Sequence, residues 1–274
     1  MKALITGGSG FVGSWLVRDL CRRGLDVRIL CRRPEAVQEF KGFPVELALG
    51  DLSSRDSLVK ACQGMDWVFH LGGLVAYSKE KRAAMEEVNV KGTMNMLMAA
   101  HQNRVKRFLH MSSVTAIGAS FDGEALNEQS DYNLTHLDLG YFETKRRAEG
   151  QVMEACREGM VDVVVVNPST IYGAGDALKG SRSTQIKVAK GKFPFYTGGG
   201  VNVIAIEDVI GAIWEAMNRG KTGERYILGG ENLLIKDLFR IIAEEAGVSP
   251  PSIYLPNFVV HGIGRMGDLL EKWG

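Results

Sequence analysis

Cysteine is scarce in this 274-residue chain, and Cys21, Cys31, Cys62 and Cys156 share no C-x-x-C spacing. Neither a disulfide framework nor a zinc site follows, and reduced thiols in a cytoplasmic setting are expected. His70, His101, His110, His136 and His261 also lack metal-ligand spacing, so no metal is expected. An excess of one charge is missing as well. The formal net charge is +1, and Arg22-Arg23 and Arg32-Arg33 are pairs rather than a basic tract, which argues against a nucleic-acid partner. No apolar run approaches the length needed to cross a bilayer, and the N-terminus lacks the apolar core of a signal peptide. The hydrophobic fraction of 45% and charged fraction of 24% are those of an ordinary soluble protein, here long enough for one large domain with an appended lobe.

Glycine is plentiful, and its placement at the start of the chain is the most informative feature. Lys2 to Thr6 reads as a short buried strand, and the helix after it carries Phe11, Val12, Trp15 and Leu16 on its apolar side. Between them Gly7, Gly10 and Gly13 stand three residues apart, with Ser9 inside the turn. A glycine turn running straight into a helix offers unpaired backbone N–H groups and the positive end of the helix dipole to an anion. Missing Cβ atoms let a pyrophosphate approach and let the helix pack closely on the sheet. The spacing is not G-x-G-x-x-G, so the position between strand and helix carries the weight.

Strand-like and helix-like segments then alternate. Strands are expected at 26–31, 45–49, 66–71, 106–112 and 162–167, and helices at 11–23, 54–62, 81–102 and 141–157. This predicts an α/β fold, a Rossmann-type doubly wound parallel sheet with a small C-terminal substrate lobe. The dinucleotide-binding domain is expected over residues 1–173 with parts of 203–230, and the lobe over 174–202 and 231–274. Helices are expected at 206–218 and 235–246. Phe258, Val259, Ile263, Met266, Leu269, Leu270 and Trp273 form an apolar stripe read as packing on that lobe. The chain stops abruptly after it, which leaves room for the lobe to continue past Gly274.

Ligands of such sheets bind at the carboxyl ends of the strands, and the reactive side chains fall there. Tyr141-Phe-Glu-Thr-Lys145 puts a phenol and an ammonium on one face of a helix. Ser112-Ser113 ends the fifth strand. Hydride exchange at a carbon bearing oxygen requires a proton to move on that oxygen, and Tyr141 is the candidate acid/base. A free phenol has a pKa near 10, and Lys145 together with an oxidised nicotinamide ring is expected to lower it. One of these two serines would donate to the substrate oxygen. After the second strand stands Arg32, with no carboxylate before Glu35, which favours NADP(H) over NAD(H).

Thr6-Gly7-Gly8-Ser9-Gly10-Phe11-Val12-Gly13, Gly50-Asp51-Leu52, Asn89 to Thr93, Ser112-Ser113, Tyr141 to Lys145 and Asn167 to Thr170 together resemble the extended short-chain dehydrogenases/reductases. Within that superfamily they resemble the dihydroflavonol reductase and hopanoid-associated sugar epimerase branch. The resemblance selects Ser113 over Ser112, since a glycine, here Gly118, follows the catalytic serine by five residues. It implies that Asp51 and Leu52 flank the adenine, and that backbone from Pro168 through Ser169 to Ile171 holds the nicotinamide carboxamide. Gly72 joins the expected cofactor-binding set with Gly7, Ser9, Gly10, Phe11, Val12, Gly13, Arg32, Tyr141 and Lys145, and Lys145 is expected to bond the nicotinamide ribose. The helices at 81–102 and 141–157 match those through which such proteins often dimerise as a four-helix bundle.

Three activities fit. The first is an NADP(H)-dependent reductase of a ketone or aldehyde. The second is a nucleotide-sugar epimerase working through a 4-keto intermediate, and the third is a non-catalytic dinucleotide sensor. Val114-Thr-Ala-Ile117 lacks the acid pair that related dehydratases carry, and Gly198 to Ile204 lacks the arginine with which related epimerases grip a pyrophosphate. The reductase reading leads. A complete Ser-Tyr-Lys set argues against the sensor.

Overall fold

The computed structural model describes residues 1–176, 182–256, 258, 259 and 262. In chain order these form β1 (Lys2–Thr6), α1 (Phe11–Arg22), β2 (Asp26–Cys31), β3 (Val45–Leu49), α2 (Arg55–Cys62), β4 (Trp67–His70), α3 (Arg82–Met85), α4 (Gly92–Gln102), β5 (Arg107–Met111) and α5 (Gly140–Arg157). There follow β6 (Val163–Pro168), β7 (Thr170–Tyr172), α6 (Ser183–Ala189), β8 (Phe195–Thr197), β9 (Gly200–Ala205), α7 (Ile206–Arg219), β10 (Glu224–Leu228), β11 (Glu231–Leu234), α8 (Ile235–Glu245) and β12 (Ile253–Leu255). The chain divides into two compact units, one of Met1–Ile171 with Ala205–Leu228, the other of Tyr172–Ile204 with the residues from Gly229 onward.

The first unit is built on a seven-stranded parallel sheet of order β10-β6-β5-β4-β1-β2-β3. Its central strands are continuous apolar runs: Val163 to Val166 are fully buried, as a parallel strand covered on both faces must be. On one face Leu4, Val68, Phe108 and Val163 pack with Leu58 of α2, Met96 and Leu97 of α4 and Val152 of α5. On the other α1 adjoins α7, and Trp67 meets Trp214 edge-on at 6.0 Å. The chain winds outward from β1 through β2 to β3, then crosses to β4 and winds the other way. The switch point therefore lies between β1 and β4, where Thr6 is in register with His70.

In the second unit β9 and β11 pair antiparallel with Asn202 opposite Asn232, and β8 pairs parallel with β12. Val188 of α6 packs there with Leu238, Phe239 and Ala243 of α8. Of the apolar stripe near the C-terminus, Ile263, Met266, Leu269, Leu270 and Trp273 lie outside the described residues, as do residues 177–181. Among the described residues no helix is long and apolar enough to cross a membrane, and no cluster of His, Cys, Asp and Glu could hold a metal ion.

In the first unit's sheet and its covering helices, two elements differ from the sequence reading, and in the second unit the strands β8, β9, β11 and β12 and the helix α6 were not anticipated. The helix expected over 81–102 is interrupted by a π-helical turn, Glu86–Lys91, between α3 and α4. The wider turn brings Asn89 inward, where its amide donates to Leu74 O at 2.9 Å and its carbonyl oxygen accepts from Leu74 N at 2.7 Å. A seventh strand, β10, was not singled out, because Glu224, Arg225 and Tyr226 hide its apolar character.

Two buried histidines lie side by side on β4 and β5. His70 Nδ1 is 2.8 Å from Thr6 Oγ1, and Nε2 is 3.0 Å from Thr93 Oγ1. Thr93 Oγ1 donates to Asn89 O and Thr6 Oγ1 accepts from Gly72 N, so the partners fix the proton on Nε2. His110 stacks on His70 with ring centroids 5.6 Å apart, and neither of its ring nitrogens has a protein partner among the described residues. Burial, with Lys145 adding to it, pushes His70 down to about 3 and His110 well below its ordinary value. Both stay neutral in the fold and take up protons only on unfolding. Their contribution to stability is therefore complete above the ordinary histidine pKa near 6.5 and lost progressively below it, by about 1.4 kcal/mol per pH unit for each histidine. Urea midpoints measured from pH 7 to pH 5 are expected to fall accordingly, and His110→Phe should make that fall shallower. An unchanged slope in a folded His110→Phe protein would refute this account.

Candidate active site

The turn between β1 and α1 is set by close backbone approach. Gly7 has φ +72°, and a Cβ there would lie 2.8 Å from Gly72 N. A Cβ on Gly13 would lie 2.1 Å from Gly7 O, so α1 can begin this close to the sheet only with glycine at that position. A Cβ on Gly10 would meet only Gly7 O, at 3.1 Å: this glycine faces outward beside exposed Ser9. Gly10 caps α1, Phe11 and Val12 open its first turn, and no acidic side chain occupies that turn. Such a helix start is a ready anion site.

Gly72 follows β4 and donates from its backbone to Thr6 Oγ1 at 3.0 Å, which holds the two strand ends of the switch point together. Leu52 packs beside it, since a Cβ on Gly72 would be 3.2 Å from Leu52 Cδ1. Asp51 accepts from the backbone N–H and hydroxyl of Ser53, at 2.9 and 2.7 Å, and these bonds, with Arg32 contributing, hold its carboxyl below the usual range. Arg32, directly after β2, is exposed and has its Nε 3.9 Å from Asp51 Oδ2. The sequence reading found no carboxylate near Arg32, whereas the fold brings one from the end of β3.

Ser113 stands two residues beyond the end of β5, past the strand end expected from sequence, and caps a short helical turn, its Oγ accepting from Thr115 N at 3.2 Å. Tyr141 and Lys145 stand one turn apart on α5, and the Ser113 hydroxyl is near enough to the Tyr141 phenol to favour its ionised form. Lys145 is buried, and its Nζ donates to Met111 O at 2.7 Å. Burial lowers its pKa to about 8, with Glu149 acting in the opposite direction. Burial pushes the Tyr141 phenol up to about 12, the neighbouring Tyr77 phenol adds to this, and the Ser113 hydroxyl pulls the other way. The expected lowering of Tyr141 by Lys145 is thus not what the protein groups produce. One N–H of the ammonium is bonded to the Met111 carbonyl, and desolvation dominates the phenol.

At the end of β6, Pro168 is buried opposite Leu228, and Ser169 N donates to Leu228 O at 3.0 Å. Ile171 is buried at the boundary of the first unit. Ser112 Oγ, Asn167 Oδ1 and Ser169 Oγ are buried without a protein partner among the described residues. Such orphaned atoms at adjacent strand ends are what a polar ligand satisfies. With the open glycine turn and exposed Arg32, the residues fit a dinucleotide lying across the strand ends.

Besides Thr144, four residues of this site were not assigned a role by sequence reasoning. Asn89 joins the Leu74 backbone to Thr144 Oγ1 at 3.1 Å, and Thr144 in turn donates to Tyr141 O at 2.9 Å. Asn167 and Glu149 reach Ser113 and Lys145 from behind. Tyr77, 69% exposed, sets its ring edge-on to Tyr141 at 6.3 Å. Only a polar residue inside an otherwise apolar stripe could have signalled the first three.

The family model described as the NAD dependent epimerase/dehydratase family matches residues 3–229. A Synechocystis sp. protein named as a dihydroflavonol 4-reductase is 33% identical over 92% of this chain and 74% of its own. Sterol demethylase protein B of Methylococcus capsulatus is 32% identical over 99% of this chain and 83% of its own. Among solved structures, the Thermus thermophilus UDP-glucose 4-epimerase in complex with NAD superposes with a TM-score of 0.80 at 25% identity, covering 93% of this chain and 86% of that one.

Replacing Gly13 by alanine would force the Cβ into Gly7 O and separate α1 from the turn. Gly13→Ala is expected to cost about 1–3 kcal/mol in urea unfolding, and an unchanged midpoint would show that the turn has room to shift.

Proposed function

This chain belongs to the NAD-dependent epimerase/dehydratase family and is an NAD(P)-dependent oxidoreductase, and from that premise we propose that it is an NADP(H)-dependent reductase of a ketone or aldehyde. The observation that supports the reading is the placement of Tyr141 and Lys145 one turn apart on α5, with Lys145 anchored to Met111 O at the end of β5 and Ser113 two residues further on. A bound reduced nicotinamide would supply hydride to the carbonyl carbon. Tyr141 gives its proton to the carbonyl oxygen, and a pKa well above neutrality keeps that proton available at working pH. Ser113 donates a hydrogen bond to the same oxygen and orients it. Lys145, still mostly protonated at neutral pH, is suited to hold the nicotinamide ribose.

In this reading the first compact unit is the dinucleotide-binding domain. Gly7, Ser9, Gly10, Phe11, Val12 and Gly13 would take the pyrophosphate, Asp51, Leu52 and Gly72 the adenosine end, and Pro168, Ser169 and Ile171 the carboxamide. Arg32 supports NADP(H): its contact with Asp51 at 3.9 Å is solvent-exposed and weak, so the guanidinium is free to meet a 2′-phosphate. Exposed Val75, Tyr77 and Phe121 favour a substrate with apolar surface. The likeness to UDP-glucose 4-epimerase favours, as a second reading, a sugar epimerase acting through a 4-keto intermediate. Met85, Met96 and Leu97 are consumed by the chain's own core, while Val88, Met94 and Met98 remain half-buried and support a homodimer through α3–α4 and α5.

Net loss of reduced-nicotinamide absorbance with a panel of ketones and aldehydes is the expected result, whereas tightly held cofactor without net consumption would favour the epimerase. Tyr141→Phe is expected to lower turnover by about 10²–10⁴-fold and leave dinucleotide affinity within a factor of about two. Activity retained in that variant would remove Tyr141 from its role. Arg32→Ala should weaken NADPH binding by about tenfold or more and spare NADH. Equal losses for both cofactors would overturn the NADP(H) preference.

A further inference from the structure

Behind the reactive face, four elements of the first unit converge on one buried carboxylate. Glu149 lies on α5, one turn beyond Lys145, and is 4% exposed. Its Oε2 accepts from Asn167 Nδ2 at 2.7 Å, and the same amide donates to Ser113 O at 3.1 Å. Its Oε1 pairs with Arg225 Nη1 of β10 at 3.0 Å. Arg225 spends its other N–H groups on the loop before α5: Nε donates to Glu128 O at 2.7 Å and Nη2 to Ser130 O at 3.4 Å. The loop returns the contact, since Glu128 Oε1 accepts from Ile227 N at 2.9 Å.

We propose that Glu149 is the positioning residue of this site, one carboxylate fixing the strand end that carries Ser113, the charge beside Lys145 and the loop at residues 128–130. The inference rests on the reading of Ser113, Tyr141 and Lys145 as the reactive set. Removing both charges of a buried pair and leaving only shape is often harmless to stability. Filling space alone therefore gives no reason for a carboxylate here, and the charge itself is what the site uses. The groups facing Lys145 are Tyr141 and Glu149 on α5, His70 on β4 and His110 on β5, with Arg225 of β10 behind Glu149. Both histidines are neutral, so Glu149 is the one anion among these groups that favours the ammonium. Without it, burial acts unopposed and Lys145 titrates below its present value of about 8, inside the physiological range. In the same variant Arg225 loses its fixed partner, and the grip on Glu128 and Ser130 loosens.

The test uses the full-length protein with ¹³C-labelled lysine. The Lys145 ε-carbon signal is assigned by its loss in Lys145→Arg, and its titration is compared in the unaltered protein and Glu149→Gln. The midpoint is expected to fall by about one pH unit or more, and amide hydrogen exchange at Ile227 to accelerate by about tenfold or more. A folded Glu149→Gln protein with an unmoved Lys145 midpoint overturns the proposal, even if its melting temperature drops, because a merely structural carboxylate would change stability alone. If Glu149→Gln does not fold, the charge-free pair Glu149→Gln/Arg225→Gln is titrated instead, with a downward shift again expected and an unchanged midpoint again decisive against. Neither readout depends on turnover. A shifted midpoint in a protein that reduces no carbonyl would sustain the role of Glu149 and remove the functional reading, and the reverse result would do the opposite.

Discussion

The contact on which the first unit's chemistry depends is the approach of the β1 turn to the end of β4. Gly7 lies so close to Gly72 that no side chain fits between them, and Thr6 Oγ1 bonds the Gly72 N–H across the same gap. This is the place where the winding of the sheet reverses, so the strand ends on either side diverge and leave a crevice. Gly13 lets α1 start against the turn, and the helix then aims its amino end along that crevice. The candidate residues just after β5 and on α5 stand at the adjoining strand ends. The separation of roles between α1 and α5 therefore follows from topology before any side-chain chemistry is considered.

A second layer of polar contacts holds the candidate groups. His70, Thr6, Thr93 and Asn89 form one chain of bonds that reaches Tyr141 through Thr144. Asn167, Glu149 and Arg225 form another that reaches Ser113. Buried networks of this kind restrict their members to one arrangement when every partner is present, and are costly when one is missing. His110, which completes neither chain, marks how much polar character this core tolerates next to Lys145.

The architecture was largely legible because apolar runs of strand length, glycines and helical stripes recur in a fixed rhythm. Six sheet strands and the helices between them follow from that rhythm alone. β10 did not, since an edge strand with Glu224 and Arg225 in it carries no continuous apolar signal. The π-helical turn did not either, because periodicity over 81–102 is nearly the same with one residue more per turn, and only the inward amide of Asn89 makes the wider turn worthwhile. Spacing and resemblance single out candidate site residues, but not their electrostatics. Lys145 and Tyr141 are neighbours on a helix in sequence, yet burial and the Met111 carbonyl decide what each does to a proton. Asp51 reaching Arg32 is a meeting of two strand ends that no local pattern contains.

The bond from Ile227 N–H to the Glu128 carboxylate has a consequence outside chemistry. β10 is one of the two outermost strands of the sheet, and an open strand border offers its amides to any extended chain that drifts past. A side-chain oxygen placed on one of those amides occupies the pairing position and brings negative charge to it. The segment that carries Glu128 thereby covers part of that border, in the way charged side chains shield strand edges from pairing.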